Sequence, residues 1–227
     1  MNKGINTLLV KFGNEIARHE LPLFRGAIVD AVVDADVLFH NLLDDDKLRY
    51  SYPLIQYKRL NGKAAIVCVG EGTEAIGQLF SSCNFDVCLG ERRLNLDVER
   101  IQPQKTLVQV WQDMFAYHLR SWLPLNQGNY ERYMNTESVA ERYAMLERLL
   151  VGNILSFAKG VGVHFEEQVV CKITVVDEPR TIRFKNVKMM AFDVEFKSNV
   201  SLPNYIGIGK GVSLGHGVVV RNFEKKD

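Results

Sequence analysis

The apolar and polar positions at the start of the chain change from a strand-like to a helix-like pattern. Residues 5–12, "INTLLVKF", alternate as a β-strand does. Residues 22–35 have an approximately helical spacing, with Pro22 suited to the first turn of a helix. The apolar face predicted for this helix consists of Leu23, Ala27, Val29 and Val33. The chain is therefore predicted to begin with a strand that is followed by a helix.

The segments that follow complete one domain. Residues 52–60 and 64–70 predict a β-hairpin, because the Asn61-Gly62 pair between them tolerates the positive φ angles of a tight turn. Residues 72–83 predict a short helix, and residues 85–98 return to a strand pattern. The resulting β-α-β-β-α-β order is that of a ferredoxin-like unit, in which a four-stranded antiparallel sheet carries both helices on one face.

The second half of the chain repeats this theme with one dominant helix. Residues 136–162 have the strongest helical pattern, with Thr136 as the predicted N-cap and Gly160 at the end. Its 3–4 spacing is carried by Val139, Tyr143, Leu146, Leu150 and Ile154. Strand patterns occupy residues 106–114, 115–123, 168–177 and 180–199.

These patterns predict an α+β protein with two ferredoxin-like (RRM-like) domains in tandem, each with an antiparallel sheet. Pro103, in "RIQPQKTL", interrupts the pattern between the two halves. We therefore place the N-terminal domain at residues 1–103 and the C-terminal domain at residues 104–227.

The charge of the chain is balanced overall but not locally. The chain has 28 Lys and Arg residues and 27 Asp and Glu residues, and this near-zero net charge does not favour a general polyanion binder. Residues 179–227, however, contain nine basic and four acidic side chains. The four cysteines have no zinc-like spacing and are expected to be reduced. No apolar run approaches the ~20 residues that cross a membrane, so we expect a cytoplasmic protein without a membrane partner.

The C-terminal stretch "YIGIGKGVSLGHGVVV" places five of the 17 glycines between Gly207 and Gly217. A dinucleotide-binding turn is excluded because a strand-like segment follows, where that motif needs a helix. A Walker loop is excluded because, when Gly209-Lys210 is aligned with the motif, Asn204 occupies the position of the first glycine and Gly211 that of the Ser or Thr. Two interpretations remain open. The loop offers its backbone amides, with Lys210 and His216, to an anionic backbone, or it packs against the protein's own sheet.

His40, in "DVLFHNLLDDD", is the candidate for acid–base chemistry. Imidazole exchanges a proton near neutral pH, and a positioned acid or base contributes roughly 10²–10⁴-fold to a rate. The alternative is a structural, hydrogen-bonded histidine. The three carboxylates at residues 44–46 are interpreted as a solvated turn, and no metal or other cofactor is expected.

Two segments together resemble a known family. "LPNYIGIGKGVSLGHGVV" near the C-terminus is similar to the glycine-rich signature loop of the repeat-associated RAMP superfamily. "LFRGAIVDAV", "LFHN" and "YSYPLIQYK" in the N-terminal half are similar to the sixth CRISPR-associated protein family, the endoribonucleases that process repeat RNA. The resemblance spans essentially the whole chain, in the two-domain form of this family.

This resemblance implies metal-independent cleavage of CRISPR repeat transcripts to guide RNAs. In that family the ribose 2'-OH attacks the adjacent phosphate and leaves a 2',3'-cyclic phosphate and a 5'-OH. His40 matches the family's histidine and is assigned proton transfer, as acid or base. Lys47 is assigned to charge stabilisation, and Tyr50 or Tyr52 to orienting the ribose or phosphate. The residues assigned to RNA binding are Arg183, Lys188, Gly207, Gly209, Lys210, Gly211, Gly215, His216 and Gly217.

Two other functions stay open on the sequence. One is a non-catalytic subunit that binds CRISPR repeat RNA within an effector complex. The other is a ferredoxin-like module that binds a small molecule or a protein. A homodimer is also compatible with the resemblance.

Overall fold

The computed structural model describes residues 4–32, 37–40, 52–82 and 85–222. The chain forms two compact units. The first consists of Gly4–Thr106 together with Ser213–Gly215, and the second of Leu107–Val212 together with the residues from His216 onward. The tip of the glycine-rich segment is thus grouped with the first unit, while the rest of it belongs to the second.

The first unit has a four-stranded sheet and a separate hairpin. Its strands are β1 (Gly4–Glu15), β2 (Ile55–Leu60), β3 (Lys63–Val69), β4 (Asp86–Leu89), β5 (Arg92–Asn95) and β6 (Val98–Leu107). Its helices are α1 (Leu21–Ala31), α2 (Val37–His40), α3 (Gly72–Ala75) and α4 (Gly77–Ser82), with a 3-10 turn at Arg18–Glu20. The sheet order β2-β3-β1-β6 is that of a ferredoxin-like unit and confirms the predicted fold. Asn61 and Gly62, with φ of 50° and 86°, form the predicted turn between β2 and β3.

Three predictions for the first unit were wrong. Residues 85–98 do not supply the fourth strand, since they form mainly the β4–β5 hairpin, and β6 takes that place. Pro103 does not end the pattern, because it lies within β6. β6 is an edge strand, where a residue without an N–H can be accommodated. The single helix predicted at residues 72–83 is two short helices, α3 and α4.

The buried face of α1 also differs from the prediction. Its buried residues are Leu21, Phe24, Ala27 and Ile28, whereas Leu23 is 44% exposed. The two apolar stripes of this helix overlap at Ala27, so its own spacing does not select between them. Aromatic packing selects the buried stripe, because the Phe24 ring stands edge-on to Phe12 and Tyr57, at centroid distances of 5.8 and 6.0 Å.

The second unit has a five-stranded sheet. Its elements are β7 (Val110–Trp122), α5 (Gln127–Asn135), α6 (Val139–Gly160), β8 (Cys171–Val176), β9 (Arg180–Phe184), β10 (Val187–Val200) and β11 (Val218–Arg221). The order is β11-β7-β10-β8, with β9 paired to β10. Counted along the chain without β9, this is the ferredoxin-like order 4-1-3-2 again. The second helix of such a unit would lie between β10 and β11, and the glycine-rich segment takes its place here.

Four details of the second unit differ from the prediction. Residues 110–122 are one strand rather than parts of two. Helix α5 was not predicted, because its sequence is mostly polar and buries only Tyr133. Ser138 rather than Thr136 caps α6, accepting a hydrogen bond from the Glu141 N–H at 3.4 Å. Leu146, Leu150 and Ile154 are buried as predicted, whereas Val139 is 66% exposed.

None of the helices found in the described ranges is both long and apolar enough to cross a membrane.

Candidate functional site

The glycine-rich segment, defined here as residues 201–217, is held against its own protein. Four of its glycines have φ between 62° and 90°, in the left-handed region: Gly209, Gly211, Gly215 and Gly217. A β-carbon at Gly217 would collide with the carbonyl oxygen of Ile208. The Ile208 N–H donates to Gly217 O at 2.8 Å, and the Gly217 N–H donates to Ser121 O at 3.0 Å. The packing of the loop on its own chain thus accounts for these glycines. Lys210 is exposed, and Gly211 is half-buried.

The tip of the segment, Ser213–Gly215, extends the edge of the first sheet. The Tyr57 N–H of β2 donates to Ser213 O at 3.0 Å, and Leu214 forms a parallel bridge with Tyr57. Gly215 has a φ of 76°, in the left-handed region that favours glycine. The tip therefore covers the outer edge of β2 with backbone hydrogen bonding.

His216 lies in a polar and aromatic cluster of the second unit. Its Nδ1 lies 3.2 Å from Ser121 Oγ, and its ring stands edge-on to Phe184 at 5.3 Å. The Ser121 N–H donates to Asp193 Oδ1 at 2.5 Å, and Asp193 Oδ2 pairs with Arg180 at 2.7 Å. Ser121 has a φ of 52°, which is unusual for a residue other than glycine. His216 is half-buried.

The β9–β10 hairpin places basic side chains beside this cluster. Arg183 and Lys188 are cross-strand neighbours, and both are exposed. Lys185 and Asn186 form the turn, with φ of 47° and 63°. Phe184 connects the hairpin to the glycine-rich segment, because its ring lies 3.0 Å from where a β-carbon of Gly211 would be. The structure thus places Phe184, the strand neighbour of Arg183, against Gly211 and His216.

Of the four candidate catalytic residues, His40 and Tyr52 lie within the described ranges. His40 is the last residue of this one-turn helix. Lys47 and Tyr50 lie outside the described residues. Tyr52 is half-buried, and its hydroxyl accepts a hydrogen bond from Gln56 Nε2 at 2.8 Å. The hydroxyl of Tyr57 donates to the carbonyl oxygen of Phe39 at 3.1 Å.

Lys58 follows Tyr57 in β2 and is fully buried. Burial lowers the pKa of its ammonium to about 7. Its Cα lies 3.9 Å from the position of a β-carbon on Gly215. A lysine that titrates near neutral pH therefore lies beneath the tip of the glycine-rich segment.

Ser121, Phe184 and Tyr57 were not predicted as site residues from the sequence. Ser121 and Phe184 are distant in sequence from the His216 side chain that they contact, and no local motif marks them. Tyr57 stands in a tyrosine-rich stretch, which is a weak signal. Its bond to Phe39 depends on a contact across 18 positions of the chain.

The side chains in the described ranges do not form a metal site. No group of three or more His, Cys, Asp or Glu side chains there could hold a metal ion. The carboxylates at residues 44–46 lie outside these ranges. Cys68, Cys88 and Cys171 are free thiols, of which Cys88 is exposed.

Comparison with known proteins identifies the family. The Cas6b N-terminal domain model matches residues 3–107, and the Cas6b C-terminal domain model matches residues 109–222. An uncharacterized protein of Methanocaldococcus jannaschii is 33% identical over 144 residues, which are 60% of this chain and 97% of that protein. A crystal structure of Cas6b is similar with a TM-score of 0.86 and 26% identity, covering 97% of this chain and 100% of that one. A crystal structure of the CRISPR RNA processing endoribonuclease Cas6b is similar with a TM-score of 0.73 and 25% identity, over the same shares of the two chains. The chain therefore belongs to the Cas6b family of CRISPR RNA processing endoribonucleases.

Proposed function

We propose that this protein cleaves CRISPR repeat transcripts into guide RNAs without a metal ion. The ribose 2'-OH attacks the adjacent phosphorus, the bond to the departing 5'-oxygen breaks, and the products carry a 2',3'-cyclic phosphate and a 5'-OH. The observation that carries this proposal is that His40, in a member of an endoribonuclease family, is the last residue of helix α2. The backbone of this helix is hydrogen-bonded to the sheet through the Tyr57 hydroxyl.

The reaction needs a base for the 2'-OH proton, an acid for the 5'-oxygen and a cation near the phosphate. His40 takes one of the two proton-transfer roles, because imidazole can be either acid or base near neutral pH. Lys47 stabilises the developing negative charge, and Tyr50 or Tyr52 orients the ribose or the phosphate.

The RNA backbone is held by the second unit and the glycine-rich segment. Exposed Arg183, Lys188 and Lys210 supply positive charge, and half-buried His216 adds a hydrogen-bonding ring. Gly209, Gly211 and Gly215 are partly accessible and are placed for backbone contacts, whereas Gly207 and Gly217 are buried and act by shaping the loop.

The test of this mechanism is His40→Ala. Cleavage of the cognate repeat in EDTA is expected to fall by roughly 10²–10⁴-fold while RNA affinity is retained. His164→Ala is the matched control, because His164 is exposed and has no assigned role, so its cleavage rate should be unchanged. The RNA fragment upstream of the cut should not react with reagents that need a free 3'-OH, because its 3' end is a cyclic phosphate.

Other outcomes would contradict the proposal. Full activity of His40→Ala would remove this residue from the mechanism, and strict dependence on magnesium would overturn the mechanism itself. Tight binding of the repeat without any cleavage would indicate a non-catalytic RNA-binding subunit instead. Association with effector subunits and homodimer formation stay predictions, and light scattering of the purified protein tests the second.

A further inference from the structure

Tyr57 joins the first sheet to the helical turn that carries His40. Its side chain is fully buried, and its hydroxyl donates to Phe39 O at 3.1 Å. Phe39 is 1% exposed and directly precedes His40. The bond thus fixes the peptide plane from which the backbone enters His40.

Helix α2 needs such a partner, because it has only the four residues Val37–His40. A single helical turn is not stable by itself, and the carbonyl groups at a helix C-terminus have no partners within the helix. The Phe39 carbonyl is one of these groups. A buried carbonyl without a hydrogen bond costs free energy. The hydrogen bond from the Tyr57 hydroxyl therefore stabilises the observed position of the α2 backbone.

Tyr57 is itself held from several sides. Its backbone pairs with Ile66 of β3, and its N–H donates to Ser213 O at 3.0 Å. Its ring packs edge-on against Phe24 at 6.0 Å. Burial raises the pKa of the Tyr57 hydroxyl above its ordinary value, so this group stays a proton donor throughout the working pH range. A residue restrained at its backbone, ring and hydroxyl is a rigid support.

We propose that Tyr57 is a positioning residue for cleavage, fixing the backbone at His40 through its bond to the Phe39 carbonyl. Tyr57 is buried and acts through His40 rather than on the RNA. This inference rests on the proposed function, in which His40 transfers a proton. Misplacing a catalytic group by about 1 Å costs up to ~10²-fold in rate, which sets the scale of the effect.

The experiment compares Tyr57→Phe with Tyr117→Phe in the full chain. Tyr117 is an equally buried tyrosine of the second unit, and its hydroxyl donates to Val200 O at 3.0 Å and accepts from Leu202 N at 2.8 Å. Both variants lose buried hydroxyl hydrogen bonds, but only Tyr57 contacts the backbone beside His40. The measurements are the single-turnover cleavage rate at saturating protein and the Kd for repeat RNA with a 2'-deoxy sugar at the scissile position.

We expect Tyr57→Phe to lower the cleavage rate by ~10–100-fold, with the Kd changed by less than about 2-fold. Its pH–rate profile should also change, which lost stability alone would not cause. Tyr117→Phe should keep the rate within about 2-fold and the profile in place. Rates are compared at temperatures where circular dichroism shows both variants folded, so that lost stability does not pass for lost positioning.

Other results separate this inference from the proposed function. If His40→Ala is inactive and Tyr57→Phe behaves like Tyr117→Phe, Tyr57 is structural only and the inference is wrong. A weakened Kd with an unchanged rate also overturns it. If His40→Ala cleaves normally, or the unsubstituted protein does not cleave, the proposed function fails and this inference fails with it.

Discussion

The ionisation of Lys58 depends on the fold. Burial lowers its pKa from 10.5 to about 7, so the unfolded chain binds its proton over a range where the folded chain has released it. The free energy of unfolding therefore rises with pH between about 7 and 10.5 from this group. Below pH 7 both states are protonated and this contribution to the slope vanishes.

Replacing Lys58 with Met should remove that pH dependence. In the unsubstituted protein, Lys58 should raise the free energy of unfolding by up to ~1.4 kcal/mol per pH unit above pH 7. This rise should be absent from the variant. Urea unfolding at pH 7.0, 7.7 and 8.4 measures the slope. The range ends below pH 9 because burial raises the pKa of Cys68 above its ordinary value, which lowers stability once the unfolded thiol ionises.

The control for this change is Lys159→Met, because Lys159 is an exposed lysine near the end of α6. It should keep the slope of the unsubstituted protein. Equal slopes for Lys58→Met and the unsubstituted protein would show that Lys58 is not the group that titrates.

The glycine-rich segment is the element that distinguishes the second unit from the first. In the first unit, α3 and α4 connect β3 towards β6, whereas residues 201–217 connect β10 to β11. A helix would satisfy its own backbone groups, but this segment depends on bonds such as Gly217 N–H to Ser121 O. Its conformation is therefore sensitive to single β-carbons.

Gly217→Ala should destabilise the protein by more than about 2 kcal/mol, because it combines a left-handed φ with a collision against backbone. Gly152→Ala is the matched control: a β-carbon there meets nothing within 4 Å, and alanine favours the helix by ~0.5–1 kcal/mol. Thermal unfolding measures both. Equal melting temperatures for the two variants would show that the segment adapts to a side chain.

At the scale of the whole molecule, the arrangement of charge matters more than its sum. The formal net charge is +1, while residues 179–227 hold nine basic and four acidic side chains. We therefore expect an RNA backbone to be attracted to particular surfaces, and we propose the β9–β10 hairpin as one of them.

Arg183→Ala and Lys188→Ala should each weaken repeat binding and lower the slope of log K against log salt concentration by about 0.7–0.9. Fluorescence anisotropy over a range of salt concentrations measures the slope. Arg100→Ala removes the same charge from an exposed position on β6 and should leave the slope unchanged. A slope that falls equally in all three variants would indicate attraction by overall charge rather than by the hairpin.

Several features were predictable because they depend on neighbours in sequence. The Asn61-Gly62 turn follows from backbone sterics, and α6 follows from a 3–4 apolar spacing over many residues. The glycine excess correctly indicated unusual backbone, as the φ of 62° at Gly217 shows. For the site, the sequence could propose His40 and the basic hairpin residues, but not the partners that hold them.

The sequence by itself determined the fold class, the strand and helix order of most segments, and the need for glycine near the C-terminus. Only the tertiary structure decided that β6 is the fourth strand, that Leu21, Phe24 and Ile28 are buried in α1, and that Tyr57 bonds to Phe39. The physical reason is the sequence separation over which each interaction acts. Backbone propensity acts over a few residues, whereas edge or centre position, the buried face of a helix and the partner of a buried hydroxyl depend on segments that meet only after folding.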